Sequence, residues 1–137
     1  MDGDYMKKLT YEDWVIKFLT NVAGHFDLGG WNLDVKFSDR EKDDTYAEAT
    51  INSTYQIMTI HVFKKAKEDF ESGNMPVLIM ALVHELVHSF LDPFHSFVNP
   101  HLSEVTTPHF MNILEQQTQK LTMVILKTLP KNLIPPR

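Results

Sequence analysis

Ala81-Leu82-Val83-His84-Glu85-Leu86-Val87-His88-Ser89-Phe90-Leu91 sets two histidines four residues apart, with a glutamate after the first, in an otherwise apolar run. On an α-helix this HExxH spacing puts both imidazoles on one face, one turn apart, where they can converge on a single zinc ion. Glu85 then lies beside them, within reach of a metal-bound water. Asn74-Met75-Pro76 supplies start signals and Asp92-Pro93 stop signals, so the stretch is expected to be a helix from about 75 to 92. Val77, Leu78, Ile79, Met80, Leu82, Val83, Leu86, Val87, Phe90 and Leu91 surround the three polar residues and predict burial on nearly all sides. Two satisfied core histidines are the plainer alternative. Burying two imidazoles and a carboxylate without a shared partner is costly, which favours the metal.

The rest of the chain has room for one domain and one ordinary core, at 137 residues and 43% hydrophobic content. A formal charge of -5, with scattered lysines and arginines, argues against a nucleic-acid binder. With no cysteine, a tightly bound metal must use histidine and carboxylate ligands. The polar N-terminus lacks an apolar signal core, and the run Met75 to Leu86 reads as too short to span a bilayer. The expectation is a cytoplasmic protein. Lacking an oligomerisation heptad, it is expected to be a monomer.

Around the motif, helical and alternating patterns order the chain. Residues 1–9 read as a polar leader, 10–129 as the domain and 130–137 as an extended or disordered tail. Thr10 caps a first helix with Trp14, Phe18, Val22 and Phe26 at helical spacing, stopped by Gly29-Gly30. Strict alternation over Trp31 to Phe37 predicts a strand with Trp31, Leu33, Val35 and Phe37 facing the core. Residues 45–52 and 55–63 read as an antiparallel hairpin turning at Asn52-Ser53-Thr54. A short surface helix over 64–72 ends at Gly73-Asn74. Two prolines make Asp92 to Thr107 an irregular loop, with Phe90, Phe94 and Phe97 packing it down, and Thr107-Pro108 opens a last helix ending near Leu129. Its apolar stripe is expected among Phe110, Ile113, Leu114, Leu121, Val124, Ile125 and Leu126. The resulting class is α+β.

Catalytic zinc normally takes three protein ligands, and two histidines leave one to find. Downstream stand His95, His101, Glu104, His109 and Glu115, of which Glu115 alone lies well inside a long predicted helix. A solvent-facing glutamate is the competing reading there. Gln119, one turn further on, could orient a ligating histidine or Glu115.

The His84-Glu85-Leu-Val-His88 motif, with Glu115-Gln-Gln-Thr-Gln-Lys-Leu121 following it, resembles the gluzincin group of zinc metallopeptidases. It is most similar to the small minigluzincins and phage-type putative metallopeptidases, with element order matching loosely over residues 10–128. The resemblance implies His84, His88 and Glu115 as zinc ligands and Glu85 as general base. It also implies a zincin-like domain: an N-terminal helix, a three-stranded, mainly antiparallel sheet, the HExxH helix and a glutamate-bearing helix. An edge strand would hold extended peptide or protein substrate. Larger gluzincins place asparagine before the ligand glutamate and aspartate one turn after it, where this chain has Leu114 and Gln119. The sprT-like metallopeptidases use a third histidine instead, but their histidine-glycine signature is absent, since no glycine follows Gly73. The expected activity is zinc-dependent peptide hydrolysis, in which Glu85 takes a proton from zinc-activated water and passes it to the leaving amine. No transition-state partner stands out, His109, His95 and Tyr55 being the options. Alternatives are a zinc-stabilised, catalytically weak or inactive module closed by His95 or His109, and a self-inhibited proenzyme covered by the 92–107 loop or the tail.

Overall fold

The computed structural model describes residues 8–26, 28 and 30–137, so most of the polar leader and Gly29 lie outside the described residues. The first helix, α1 (Tyr11–His25), starts where Thr10 Oγ1 accepts a hydrogen bond from the Asp13 amide at 3.2 Å. It ends at His25, before the glycine pair. Its apolar stripe of Trp14, Val15, Phe18, Leu19, Val22 and Ala23 is buried, with Trp14 stacked on Phe18 at 5.2 Å between ring centroids. Each large side chain in that stripe contributes about 1.5–3 kcal/mol by leaving water.

Three strands follow: β1 (Asn32–Phe37), β2 (Ala47–Asn52) and β3 (Ile57–Val62). β3 lies in the middle, in the order β1-β3-β2, and its inward residues Met58, Ile60 and Val62 are fully buried. β2 pairs antiparallel with β3, Ala47 opposite Val62 and Asn52 opposite Ile57, which is the expected hairpin. Its turn is longer than expected, occupying 53–56, with Gln56 at φ 52° in the left-handed region. β1 instead runs parallel to β3, Asn32 beside Ile57 and Phe37 beside Val62. The sheet is therefore mixed rather than mainly antiparallel. The physical reason is reach: adjacent strands lie ~4.8 Å apart, and the 38–46 connection is long enough to carry the chain past one strand position, which a tight turn cannot do. β2 is left as an edge.

The surface helix α2 (Lys64–Ser72) ends at Gly73, whose φ of 85° suits glycine's freedom. The motif helix α3 (Met75–Val98) does not stop at Pro93 but runs through it, followed by a 3-10 turn at Asn99–His101. The expected irregular loop shrinks to 102–105. Proline removes one backbone donor, the one that would reach the Ser89 carbonyl, yet the turn is held from outside. Ser53 of the hairpin turn and Ser96 both donate to the Asp92 carboxylate, and the rings of Phe94 and His95 meet Phe110 at 6.0 Å. Through the turn, Met75–His101 is long and apolar enough to cross a membrane by length and composition, unlike the shorter run seen in the sequence. Burial of Leu78, Leu82, Val83, Glu85, Leu86, Val87 and Ser89 shows α3 to be the helix on which the core is built.

α4 (Thr106–Thr128) packs on α3. Its start is fixed by Ser103 rather than Thr107: the Thr106 amide donates to Ser103 Oγ at 3.1 Å and the Ser103 amide to Thr106 Oγ1 at 2.9 Å. The buried seam also differs from the expected stripe. Thr118, Thr122 and Ile125 are buried, whereas Ile113 and Val124 are exposed. Both threonine hydroxyls donate at 2.8 Å to the carbonyl four residues back, to Leu114 and Thr118, so they can be buried without an unpaired group.

The C-terminal residues are built into the fold rather than loose. Trp14 Nε1 donates to the Pro135 carbonyl at 2.8 Å, and Asn21 Nδ2 to the Leu133 carbonyl at 3.0 Å. Arg137 donates from Nε and Nη2 to the Phe70 and Glu71 carbonyls at 2.8 and 2.9 Å, closing the last turn of α2. Arg137→Ala is therefore expected to cost about 0.5–1.5 kcal/mol in a urea unfolding titration. A midpoint equal to wild type would show that these bonds add nothing net.

Candidate metal centre

Helix geometry and the α3–α4 contact together assemble the site. His84 and His88 lie one turn apart on the half-buried side of α3, rings edge to face at 5.0 Å, while Glu85 turns towards the sheet and is buried. From α4, Glu115 reaches across. Its Oε1 lies 2.7 Å from His84 Nε2 and its Oε2 lies 3.6 Å from His88 Nε2. His84, Glu85 and His88 each offer a ligand atom within 4.8 Å of the others, a cluster able to hold a metal ion.

Gln119 decides the state of His84. Its Oε1 lies 2.8 Å from His84 Nδ1, and its Nε2 donates to Met80 Sδ at 3.7 Å. A thioether is only an acceptor, so the amide nitrogen faces sulfur and the amide oxygen faces the imidazole. Nδ1 is then the protonated nitrogen. A neutral His84 consequently aims its Nε2 lone pair at a carboxylate oxygen, an arrangement that needs a proton or a cation between the two.

The residues present fit a divalent cation in that place. Two imidazole nitrogens and a carboxylate converge there, Glu115 Oε1 at 2.7 Å from His84 Nε2 and Oε2 at 3.6 Å from His88 Nε2, a donor set that would hold such an ion. Imidazole nitrogen and carboxylate oxygen suit zinc and other first-row divalent ions alike. Gln119→Leu should lower zinc affinity about 10–100-fold in a competitive chelator titration, by releasing the His84 ring. Unchanged affinity would exclude Gln119 from positioning it.

Burial pushes the Glu85 carboxyl up from 4.5 to about 8; the charges of Glu115 and Glu48 add to the rise, and a hydrogen bond from the Ala49 backbone opposes it. Ala49 belongs to β2, so the edge strand touches the candidate base directly. Burial holds the His88 imidazole below its usual pKa, with His84 adding to that effect and Glu115 and Asp92 opposing it.

Two hollows flank the cluster. One, about 190 Å³, is lined by Tyr46, Ala47, Met80, Ala81, His84, Glu85 and Gln119, between the start of β2 and α4. The other, about 80 Å³, lies beyond His88 and includes Asp92, His95, Met111 and Glu115. Glu104, His101, His109 and Tyr55 line neither. Sequence reading missed three contributors: Asp92, Met80 and Tyr46. Asp92 stands one turn after His88 and Met80 one turn before His84, so helical spacing was a usable signal for both. Tyr46 had none, since the approach of β2 to α3 is tertiary.

No family model matches the chain, and neither curated proteins nor solved structures provide a match. The functional reading rests on the residues and their geometry.

Proposed function

We propose that the chain is a zinc-dependent metallopeptidase of gluzincin type, with a zincin-like domain. His84, His88 and Glu115 hold the ion and Glu85 is the general base. One observation carries this reading: a carboxylate from a second helix meets both motif histidines, at 2.7 and 3.6 Å, beside a buried glutamate. A divalent ion bound there supplies Lewis acidity for a peptide carbonyl and for an attacking water.

The remaining work belongs to the chain. Glu85 accepts the proton of the attacking water and delivers it to the leaving amine. Gln119 keeps His84 in the ligating tautomer. The free edge of β2 runs past Glu85 and suits an extended peptide, whose backbone can add to the sheet as a further strand. The reading has a cytoplasmic monomer acting on peptide or protein substrates, without nucleic acid or membrane.

A zinc-stabilised, inactive module is the second reading, favoured by His95, which borders the same hollow as His88 and Glu115. A self-inhibited proenzyme finds no such support in the tail, whose described bonds go to α1 and α2. The deciding test is hydrolysis of a quenched-fluorescence peptide library with zinc added and with zinc chelated. Chelator-sensitive cleavage supports the peptidase. Tight zinc binding without cleavage, lost on His95→Ala, supports the closed module.

A further inference from the structure

Beyond the 80 Å³ hollow, the α3–α4 hairpin carries an apolar surface that the core does not use. Phe94, Phe97 and Val105 are 56%, 75% and 87% exposed, and Met111, which also lines the hollow, is 41% exposed. Phe94 and Phe97 stand about one turn apart on α3, the rings of Phe94 and His95 meet Phe110 of α4 at 6.0 Å, Phe97 meets His101 at 6.1 Å, and His95 and Met111 both line the hollow. The bond from Ser53 to Asp92 brings the hairpin turn, with exposed Tyr55, against the same part of α3. Isolated exposed apolar residues are ordinary, but a contiguous run opening into a candidate active site is a recognition surface.

Its charge is one-sided. No lysine or arginine occurs between Lys67 and Lys120, while Asp92 and Glu104 lie on the hairpin, and the whole chain has a formal charge of -5. At neutral pH such a surface repels acidic partners and anionic membranes and attracts cations. We infer that this face docks the substrate's own basic amphipathic segment: bulky apolar side chains seat on Phe94, Phe97 and Met111, and neighbouring lysines or arginines face Asp92 and Glu104. The inference rests on the peptidase reading for the word substrate, though not for the docking itself.

The test measures binding rather than turnover. A fluorescein-labelled peptide alternating leucine or phenylalanine with lysine or arginine is titrated with full-length protein, zinc chelated, at about pH 7.5, where histidine is mostly neutral. Its counterpart carries glutamate at every basic position. The basic peptide is expected to bind at least about 10-fold more tightly, and raising NaCl from about 50 to about 300 mM should weaken it severalfold. Phe94→Ser with Phe97→Ser should lower affinity about 10-fold, and Glu104→Lys about threefold. Phe97 and Glu104 are exposed, so Phe97→Ser alone, expected to lower affinity about threefold, and Glu104→Lys should melt as wild type, and they keep the test readable where loss of the Phe94–Phe110 contact lowers the melt of the double variant. Equal binding of both peptides, or full affinity in the phenylalanine variant, overturns the proposal. So does a sedimentation shift showing that the same phenylalanines hold a dimer, or capture by phosphatidylserine vesicles in place of the peptide. Docking with no cleavage of the peptide once zinc is restored would sink the peptidase reading alone, and zinc-dependent cleavage without this preference would sink the docking alone.

Discussion

Glu85→Gln is expected to lower peptide hydrolysis by about 10²–10⁴-fold while leaving zinc affinity within a few-fold of wild type, because the amide keeps the shape of the side chain and loses its basicity. The assay compares both proteins with zinc present and chelated. Equal activity would reject Glu85 as the base. The same substitution makes a separate statement about the metal-free protein. In the fold the carboxyl titrates at about 8, against an ordinary 4.5. Below about 4.5 both folded and unfolded chains hold the proton; between there and 8 the unfolded chain releases it and the folded chain does not. The stability associated with the neutral carboxyl is thus fully present at acid pH and lost as pH rises through 8. Metal-free wild type should lose a few kcal/mol, at most roughly 5, over that window, and Glu85→Gln should remove this part of the pH dependence. A cation beside Glu85 lowers its pKa by direct attraction, so zinc should abolish most of the loss. Parallel pH–stability curves for the two metal-free proteins would contradict the buried, neutral Glu85.

Glu115→Ala is the second large effect. It removes the one carboxylate that α4 brings to both histidines, and zinc affinity is expected to fall at least about 100-fold, more than for a positioning residue such as Gln119. Full affinity in this variant would sink the ligand assignment and leave Glu85 as the carboxylate nearest the histidines. Deletion also takes away a charge that helps to raise the Glu85 pKa, so that pKa should move downward in the metal-free variant. Carbon-13 NMR of labelled glutamate carboxyls measures that movement, which reads the Glu115 charge beside Glu85, while zinc affinity decides the ligand assignment.

Much of the architecture was legible in local pattern. The Thr10 cap, the α1 stripe, the alternation of β1, the β2–β3 hairpin and the Gly73 stop all depend on residues near each other in sequence, and each appears where its chemistry placed it. The failures share a cause. Pro93 reads as a helix end because a lone helix pays for its missing donor, but the rings of Phe94, His95 and Phe110, and the serines on Asp92, hold the turn from other elements. Thr118 and Thr122 read as polar because residue type does not reveal a hydroxyl satisfied by its own helix. The parallel pairing of β1 depends on where a long connection goes.

The candidate site divides along the same line. Spacing alone put His84, Glu85 and His88 on one turn of helix, since the period of the helix is a local property. Tertiary structure decided which distant carboxylate joins them, which face of Gln119 meets His84, and that β2 lies against Glu85. Those depend on how two helices and a strand pack, and packing is settled by burial of surfaces far apart in the chain, which no local spacing encodes.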